Sequence, residues 1–411
     1  MKRFAILVAS LAIMAVLNGC SSNASSADPA PDFKAVAGDG AVTLTWTMEP
    51  DVEYWLFYAV GDSVTTANWL STGGHAITNT KSPYTIAGLV NGIKYSFTMN
   101  GRKNGGPGGP GAPTQVVTPR FAGASWTVGT PLGSGKLNGA SAVASSNIIV
   151  GSGGAIYASI AGAAAAAQTN PAAPADLNAV AYNGLGFVAV GAAGTAVFSA
   201  DATTWVTRTS GTVADLYGVA SVGSGSAVAV GAGGTIINSA DGATWAAASS
   251  ATAQNLYAVT YGNGMYVAVG AGGTVVTSTD GATWKAVAVN TTRDLRGVTF
   301  GILIITTGTG TAATTTSTNI FVATGAAGTV LTSNDGATWT VRPPMSTNNI
   351  NAVAFGGQFV AVGNAGSIYT SADGSSWQAQ TSGTVNDLTA ITRTSNGYIA
   401  LGTAGTNLTA N

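Results

Sequence analysis

One heptapeptide limits what this chain can fold into: Ser278-Thr279-Asp280-Gly281-Ala282-Thr283-Trp284. Copies run from Ser239 to Trp245, from Ser333 to Trp339 and from Ser371 to Trp377, and a worn copy from Ser199 to Trp205 carries Ala202 in place of the glycine. Each reads as a tight turn between two strands. The carboxylates of Asp201, Asp241, Asp280, Asp335 and Asp373 are placed to accept backbone N–H groups across the turn, and the glycine takes the positive-φ position. Trp205, Trp245, Trp284, Trp339 and Trp377 then each lay a large apolar face over a hairpin.

The tryptophans are 40, 39, 55 and 38 residues apart, so one unit carries an insertion of about 16 residues, placed at 302–318. A period of about 39 residues with four strand-like pieces per unit is the signature of a propeller blade. In the unit around Tyr257 the innermost strand starts at Leu256, the second at Tyr266, the third at Thr274 and the outermost at Thr283. The heptapeptide resembles the Asp-box of sialidase-like and related β-propellers, where it is a structural hairpin shared by families of unrelated activity. Two further units lack the box. The first, from Leu137, replaces it with the run Ala163 to Ala167; the last, from Leu388, ends before a Trp is due. Ser125-Trp126-Thr127-Val128 matches the end of a box and supplies the missing outer strand, which makes seven blades and joins the two ends of the domain.

At 411 residues the chain has room for more than one domain. Charged residues are 8% of it and the net charge is -1, which excludes nucleic acid as a partner and leaves Thr, Ser, Asn and Gly to cover the surface. Residues 1–19 read as a signal peptide, with a basic Lys2-Arg3 and an apolar run from Phe4 to Leu17. Leu17-Asn18-Gly19-Cys20 resembles the bacterial lipobox, which implies that Cys20 becomes the lipidated N-terminus and that residues 20–28 are a tether. The chain is then anchored by lipid in a bacterial cell envelope, at the outer membrane or cell surface.

Between 29 and 120 the pattern changes to short alternating strands, such as Val42 to Trp46 and Tyr54 to Tyr58. Trp46 and Tyr95 stand where a fibronectin type III domain keeps its core Trp and its tyrosine corner, and Val116 to Arg120 resembles that family's last strand. The resemblance implies a β-sandwich spacer. His75, the chain's one histidine, is expected in an exposed glycine-flanked loop, without a second imidazole or a thiol beside it for metal. The expected architecture is therefore all-β: a fibronectin-like sandwich followed by a seven-bladed propeller over 123–411.

The propeller region contains no Glu, and its nine Asp residues all belong to the repeat. Five sit in boxes; Asp176, Asp215, Asp294 and Asp387 precede a Leu that opens an inner strand, where Asn255 and Asn349 stand in two other units. A sialidase needs an arginine triad, an acid/base Asp and a Tyr–Glu pair, and an ordinary glycosidase needs two facing carboxylates. Neither set is available, so no catalytic residue, metal or cofactor is assigned. The four strand-entry aspartates could ring a cation, or simply bond backbone at the turn, as the Asn replacements suggest.

The informative position follows the Leu. It holds Asn138, Asn178, Tyr217, Tyr257, Arg296, Asn351 and Thr389, varying where the repeat around it is nearly uniform. The ligand-face candidates are Asn178, Tyr217, Tyr257, Arg296 and Asn351; the competing reading is that these side chains only wedge between blades. The chain also looks like the photosystem assembly-factor group of Asp-box propellers, a likeness of the repeat alone. The function expected is a monomeric, non-catalytic binding or scaffolding lipoprotein whose ligand is a protein or a glycan. The alternative is a carbohydrate-active propeller with an unusual site, favoured by its fold relatives and its fibronectin-like companion.

Overall fold

A computed structural model describes residues 24–307 and 314–410. Cys20 and the segment 1–19 lie outside them. The chain divides after Arg120 into two compact units.

Unit 1 has two antiparallel sheets. One contains, in order, Ser25–Ala27, Tyr95–Lys103, Val52–Val60 and His75–Thr80, with Gln115–Val117 also paired to Tyr95–Lys103. The other is Lys34–Gly38, Ala41–Thr45 and Tyr84–Ala87. Alternation puts Val42, Leu44, Tyr54, Leu56, Phe97 and Met99 into one core with Trp46, whose ring meets Tyr54 edge-on at 5.8 Å. The Tyr95 hydroxyl accepts the Val90 N–H at 3.2 Å, pinning the chain before the strand.

Two expectations are corrected here. The tether of 20–28 is too long, because Ser25–Ala27 form a strand against Gly101, Arg102 and Lys103. Gln115–Val117 pair only with Tyr95, Ser96 and Phe97, so the far end of that edge is open, and the small residues of 25–27 cover it. His75 is exposed as expected, but it opens a strand and stacks on Tyr58 at 4.9 Å.

Unit 2 consists of seven four-stranded antiparallel sheets. The fourth shows the plan: Leu256–Gly262, Met265–Gly270, Val275–Ser278 and Lys285–Val287 in sequence order. Second strands such as Phe187–Gly191 are buried along their whole length, as a strand covered on both faces must be. The first strands of successive sheets lie against one another, and that of the seventh lies against that of the first. The insertion lengthens the first two strands of the fifth sheet into a hairpin, Leu295–Thr307 with Thr314–Gly325.

The seventh sheet is assembled from both ends of the unit. Leu388–Thr394, Gly397–Gly402 and Asn407–Ala410 are followed by Thr127–Val128, with Thr127 opposite Thr409 and Val128 opposite Leu408. The Gly129 N–H donates to the Asn407 carbonyl at 2.9 Å. Trp126 packs on the cluster of Val360, Tyr398 and Leu408, and its indole N–H donates to the Gly123 carbonyl at 2.8 Å. Trp339 makes the same bond to Gly336 at 2.9 Å, so Trp126 serves the seventh sheet as a box tryptophan serves its own. Where the box is absent in the first sheet, Ala166–Ala167 form the outer strand.

Candidate functional site

The box turns are saturated by local bonds. Asp280 Oδ1 accepts the N–H groups of Ala282 at 2.9 Å and Thr283 at 2.8 Å, and the Gly281 N–H donates to Ser278 Oγ at 2.8 Å. Gly281 has φ +74°, and Ala202 in the worn copy is held at +68°. N–H donation from Thr244 and Ala243 holds the Asp241 carboxyl down to about 2, and that from Thr283 and Ala282 does the same for Asp280. Asp201 and Asp335 are lowered by the matching donors, Thr204 with Thr203 and Thr338 with Ala337. At Asp373 burial pushes upward, but the N–H groups of Ser376 and Ser375 outweigh it and the carboxyl is again lowered. These five carboxylates are turn acceptors.

The strand-entry acids also bond to backbone, in every case reaching the turn of the preceding sheet. Asp176 Oδ1 accepts the Gly153 N–H at 2.6 Å, and Asp215, Asp294 and Asp387 take those of Ala193, Gly272 and Ala365 at 2.8, 3.0 and 2.8 Å. Asn255 and Asn349 do the same for Gly233 and Ala327 at 2.8 and 3.0 Å. Among the described residues no three His, Cys, Asp or Glu side chains gather as a metal site.

The residue after the Leu is different in kind. In all seven sheets the pairing skips it: Leu256 faces Gly270 and Ala258 faces Val269, so Tyr257 is the extra residue of a β-bulge. The same skip falls on Asn138, Asn178, Tyr217, Arg296, Asn351 and Thr389. A bulge re-aims its side chain out of the ladder's alternation, here toward the axis that the first strands surround. The glycine facing the Leu is required by this approach: a Cβ on Gly270 would stand 1.9 Å from the Asn255 carbonyl oxygen.

These seven side chains line one cavity of about 710 Å³ at the start of the first strands. A narrower channel of about 250 Å³ is walled by the same side chains and the two residues after each. The wedge reading also holds for part of the set. Asn138 and Asn178 donate through Nδ2 to the carbonyls of Leu177 and Leu216, both at 2.9 Å, and Asn351 to that of Leu388 at 2.8 Å. Thr389 Oγ1 bonds the Leu137 carbonyl, linking the seventh sheet to the first. Tyr217, Tyr257 and Arg296 stand on consecutive sheets. The two phenol rings lie 5.8 Å apart, tilted by 49°. Burial pushes the Tyr217 hydroxyl upward, helped by the charge of Asp215, so it remains protonated.

The strand-entry residues Asn255 and Asp387 line the same cavity, as do Lys136, Asn364 and Thr403, which were not on the expected face. Their signal was present as departures from the repeat. Lys136 stands where other units have Asp or Asn before the Leu, and Asn364 stands where Ala192, Ala232 and Ala271 stand in other units.

Residues 162–295 match a family described as the DUF6242 beta propeller domain. No curated protein matches the chain. Among solved structures, YCF48 bound to D1 peptide is 18% identical, with a TM-score of 0.55 over 69% of this chain and 94% of its own. YCF48 from Cyanidioschyzon merolae gives 17% and 0.53, covering 70% of this chain and 98% of its own. Virginiamycin B lyase from Staphylococcus aureus with quinupristin gives 10% and 0.59, covering 70% and 99%. Unit 2 is thus a β-propeller domain, and its structural neighbours include both a peptide-bound protein and an enzyme.

Proposed function

We propose that this chain is a cell-envelope lipoprotein whose seven-bladed propeller is a non-catalytic binding module, carried on a fibronectin type III-like spacer. The observation that carries the reading is the cavity built from one bulged residue of every repeat. Seven equivalent positions, freed from the ladder and differing in chemistry, form a recognition surface on a uniform frame. Among the described residues Asp387 is the one carboxylate lining the cavity, so two facing carboxylates are not present there. YCF48 bound to D1 peptide is a precedent for a peptide on such a fold, and a glycan suits the same polar and aromatic lining.

The lyase neighbours favour catalysis as a second reading. The quinupristin complex is of a histidine-to-alanine variant that is catalytically inactive, whereas this chain's one histidine is His75 in unit 1. That difference weighs toward binding. The spacer reading rests on the two sheets of unit 1 and the Tyr95 hydroxyl bond. The anchor reading rests on the lipobox-like run ending at Cys20.

The test is capture from cell-envelope extracts and a glycan array, comparing the chain from Ala24 onward with its Tyr217→Ala/Tyr257→Ala double variant. Capture of the same species by both, in equal amount, would place binding elsewhere. Turnover of an array glycan would instead establish the enzyme reading. For the anchor, radiolabelled palmitate should enter the wild type and not Cys20→Ala.

A further inference from the structure

We infer that the mouth of the propeller takes the end of a glycan chain that carries a carboxylate, with the acid group on Arg296 and a sugar ring over Tyr217 and Tyr257. This rests on the binding reading above and names its ligand class.

Arg296 is a half-buried cation without an acid. Its guanidinium makes one long hydrogen bond, 3.4 Å to Asn351 Oδ1, and the ion pair found among the described residues is Lys94 with Asp62 in unit 1. Asp387, the acid on the cavity wall, already accepts the Ala365 N–H. The remaining donors of Arg296 form a planar fork suited to one carboxylate. Lys136 adds a second positive charge on the same cavity.

The neighbouring wall suits a pyranose. Tyr217 and Tyr257 present two adjacent rings tilted by 49° to each other, and neither hydroxyl has a hydrogen-bond partner among the described residues. Such rings offer an apolar face for sugar C–H groups and a polar rim for hydroxyls. Farther round, Asn138 and Asn178 are each fixed by one Nδ2 bond to the next sheet, which leaves each a carbonyl oxygen and its second N–H to offer. A sugar hydroxyl both donates and accepts, so it can satisfy either group of these amides. The adjacent pair of phenol rings beside Arg296, apolar area for sugar C–H groups, favours the glycan.

The test is titration calorimetry of the full chain with short oligomers of several uronic acids, α- and β-linked, and with the same oligomers after reduction of each carboxyl to an alcohol. A peptide with a free or an amidated C-terminus completes the set. At least one uronate series should bind, roughly tenfold or more tighter than its reduced form, as loss of a charged hydrogen bond implies. Arg296→Gln should bring the two to similar affinity, and Tyr217→Ala should weaken both together. Equal binding of the acid and reduced forms, or an Arg296→Gln variant that still prefers the acid, overturns the inference. If only neutral glycans or the peptide bind, and Tyr217→Ala abolishes that, the inference falls while the binding reading stands. If nothing in the set binds the wild type, the glycan assignment falls, and the envelope capture decides the binding reading separately.

Discussion

The pairing of Thr127 with Thr409 sets up a sharp test, because two residues at opposite ends of unit 2 are direct cross-strand neighbours. Both are exposed, so replacing them leaves the core untouched. Directly paired antiparallel residues have Cα atoms about 4.5–5.5 Å apart, within the roughly 4.4–6.8 Å that a disulfide spans. Thr127→Cys with Thr409→Cys, on a Cys20→Ser background that leaves two thiols, should therefore oxidise without moving the backbone. The bridge closes a loop of about 280 residues, for which the chain-entropy model gives about 5–6 kcal/mol and typical bridges deliver about 2–4. For a unit of this size that corresponds to a rise in melting temperature of about 5 °C or more, reversed by reductant. Thiol titration and calorimetry, with and without reductant, read both effects. The control is Thr127→Cys with Ala167→Cys, on the outer strand of the first sheet, which should stay reduced. Bridging in the control, or free thiols in the test pair after oxidation, would refute the assignment of Thr127–Val128 to the seventh sheet.

Three further outcomes follow from the same geometry. Trp126→Ala should destabilise unit 2 by about 2 kcal/mol, a part-buried share of the usual aromatic truncation, and should match Trp377→Ala in urea unfolding; a near-zero effect at Trp126 alone would contradict its role in the seventh sheet. The box carboxyls are depressed in the folded state, to about 2 at Asp241 and Asp280, so their contribution is complete above the unfolded value of about 3.9 and disappears as pH falls through about 2. Urea midpoints should fall between pH 4 and pH 2, less steeply in Asp241→Asn, and a midpoint unchanged over that interval would show that these bonds carry no net stability. Gly270→Ala drives a Cβ to within 1.9 Å of a carbonyl oxygen and should cost about 3 kcal/mol or more, whereas Gly272→Ala should cost about 1 kcal/mol or less, since Ala193, Ala327 and Ala365 already occupy that turn position at positive φ. Equal melting temperatures for the two glycine variants would contradict the close approach at the bulge.

Much of the frame was legible because repetition amplifies weak signals. A single Asp-Gly turn is ambiguous, but four of them and a worn copy at a common spacing fix strand order, and the insertion at 302–318 was placed by the one long step. The outer strand from Thr127 was readable for the same reason: a box ending without its unit and a unit without its ending. Features without a periodic partner were hidden. Ser25–Ala27 form a strand only because Tyr95–Lys103 outruns its other neighbour, which is a tertiary fact about edges and leaves nothing in Ser-Ser-Ala to find. The aromatic ladders were missed as well. Tyr261 on Tyr266 on Trp284, and Phe355 on Phe359 on Trp377, tie the first two strands of a sheet to its box tryptophan through contacts of 4.7 to 6.4 Å.

The site was half legible, and the bulge explains which half. In a regular strand the residue after Leu256 would alternate out of the core, and nothing would distinguish a wall between sheets from an open surface. The skip in register frees that side chain from both faces, so it can bond the next sheet, as Asn138 and Asn178 do, and still turn an atom to the axis. Where the side chain makes no bond to the next sheet, as at Tyr257, variation costs little stability, because the ladder closes around the residue with the Leu and its facing glycine holding the frame. Under the proposed binding role, the positions free to set recognition are Tyr217, Tyr257 and Arg296, because Asn138, Asn178, Asn351 and Thr389 also tie their sheet to the next. The departures at Lys136 and Asn364 extend that set into the neighbouring turns. Exchanging Tyr257 with Arg296, neither of which holds a carbonyl of the next sheet, should accordingly leave the melting temperature within about 2 °C while moving the ligand preference; a large loss of stability would show that these positions are structural wedges first.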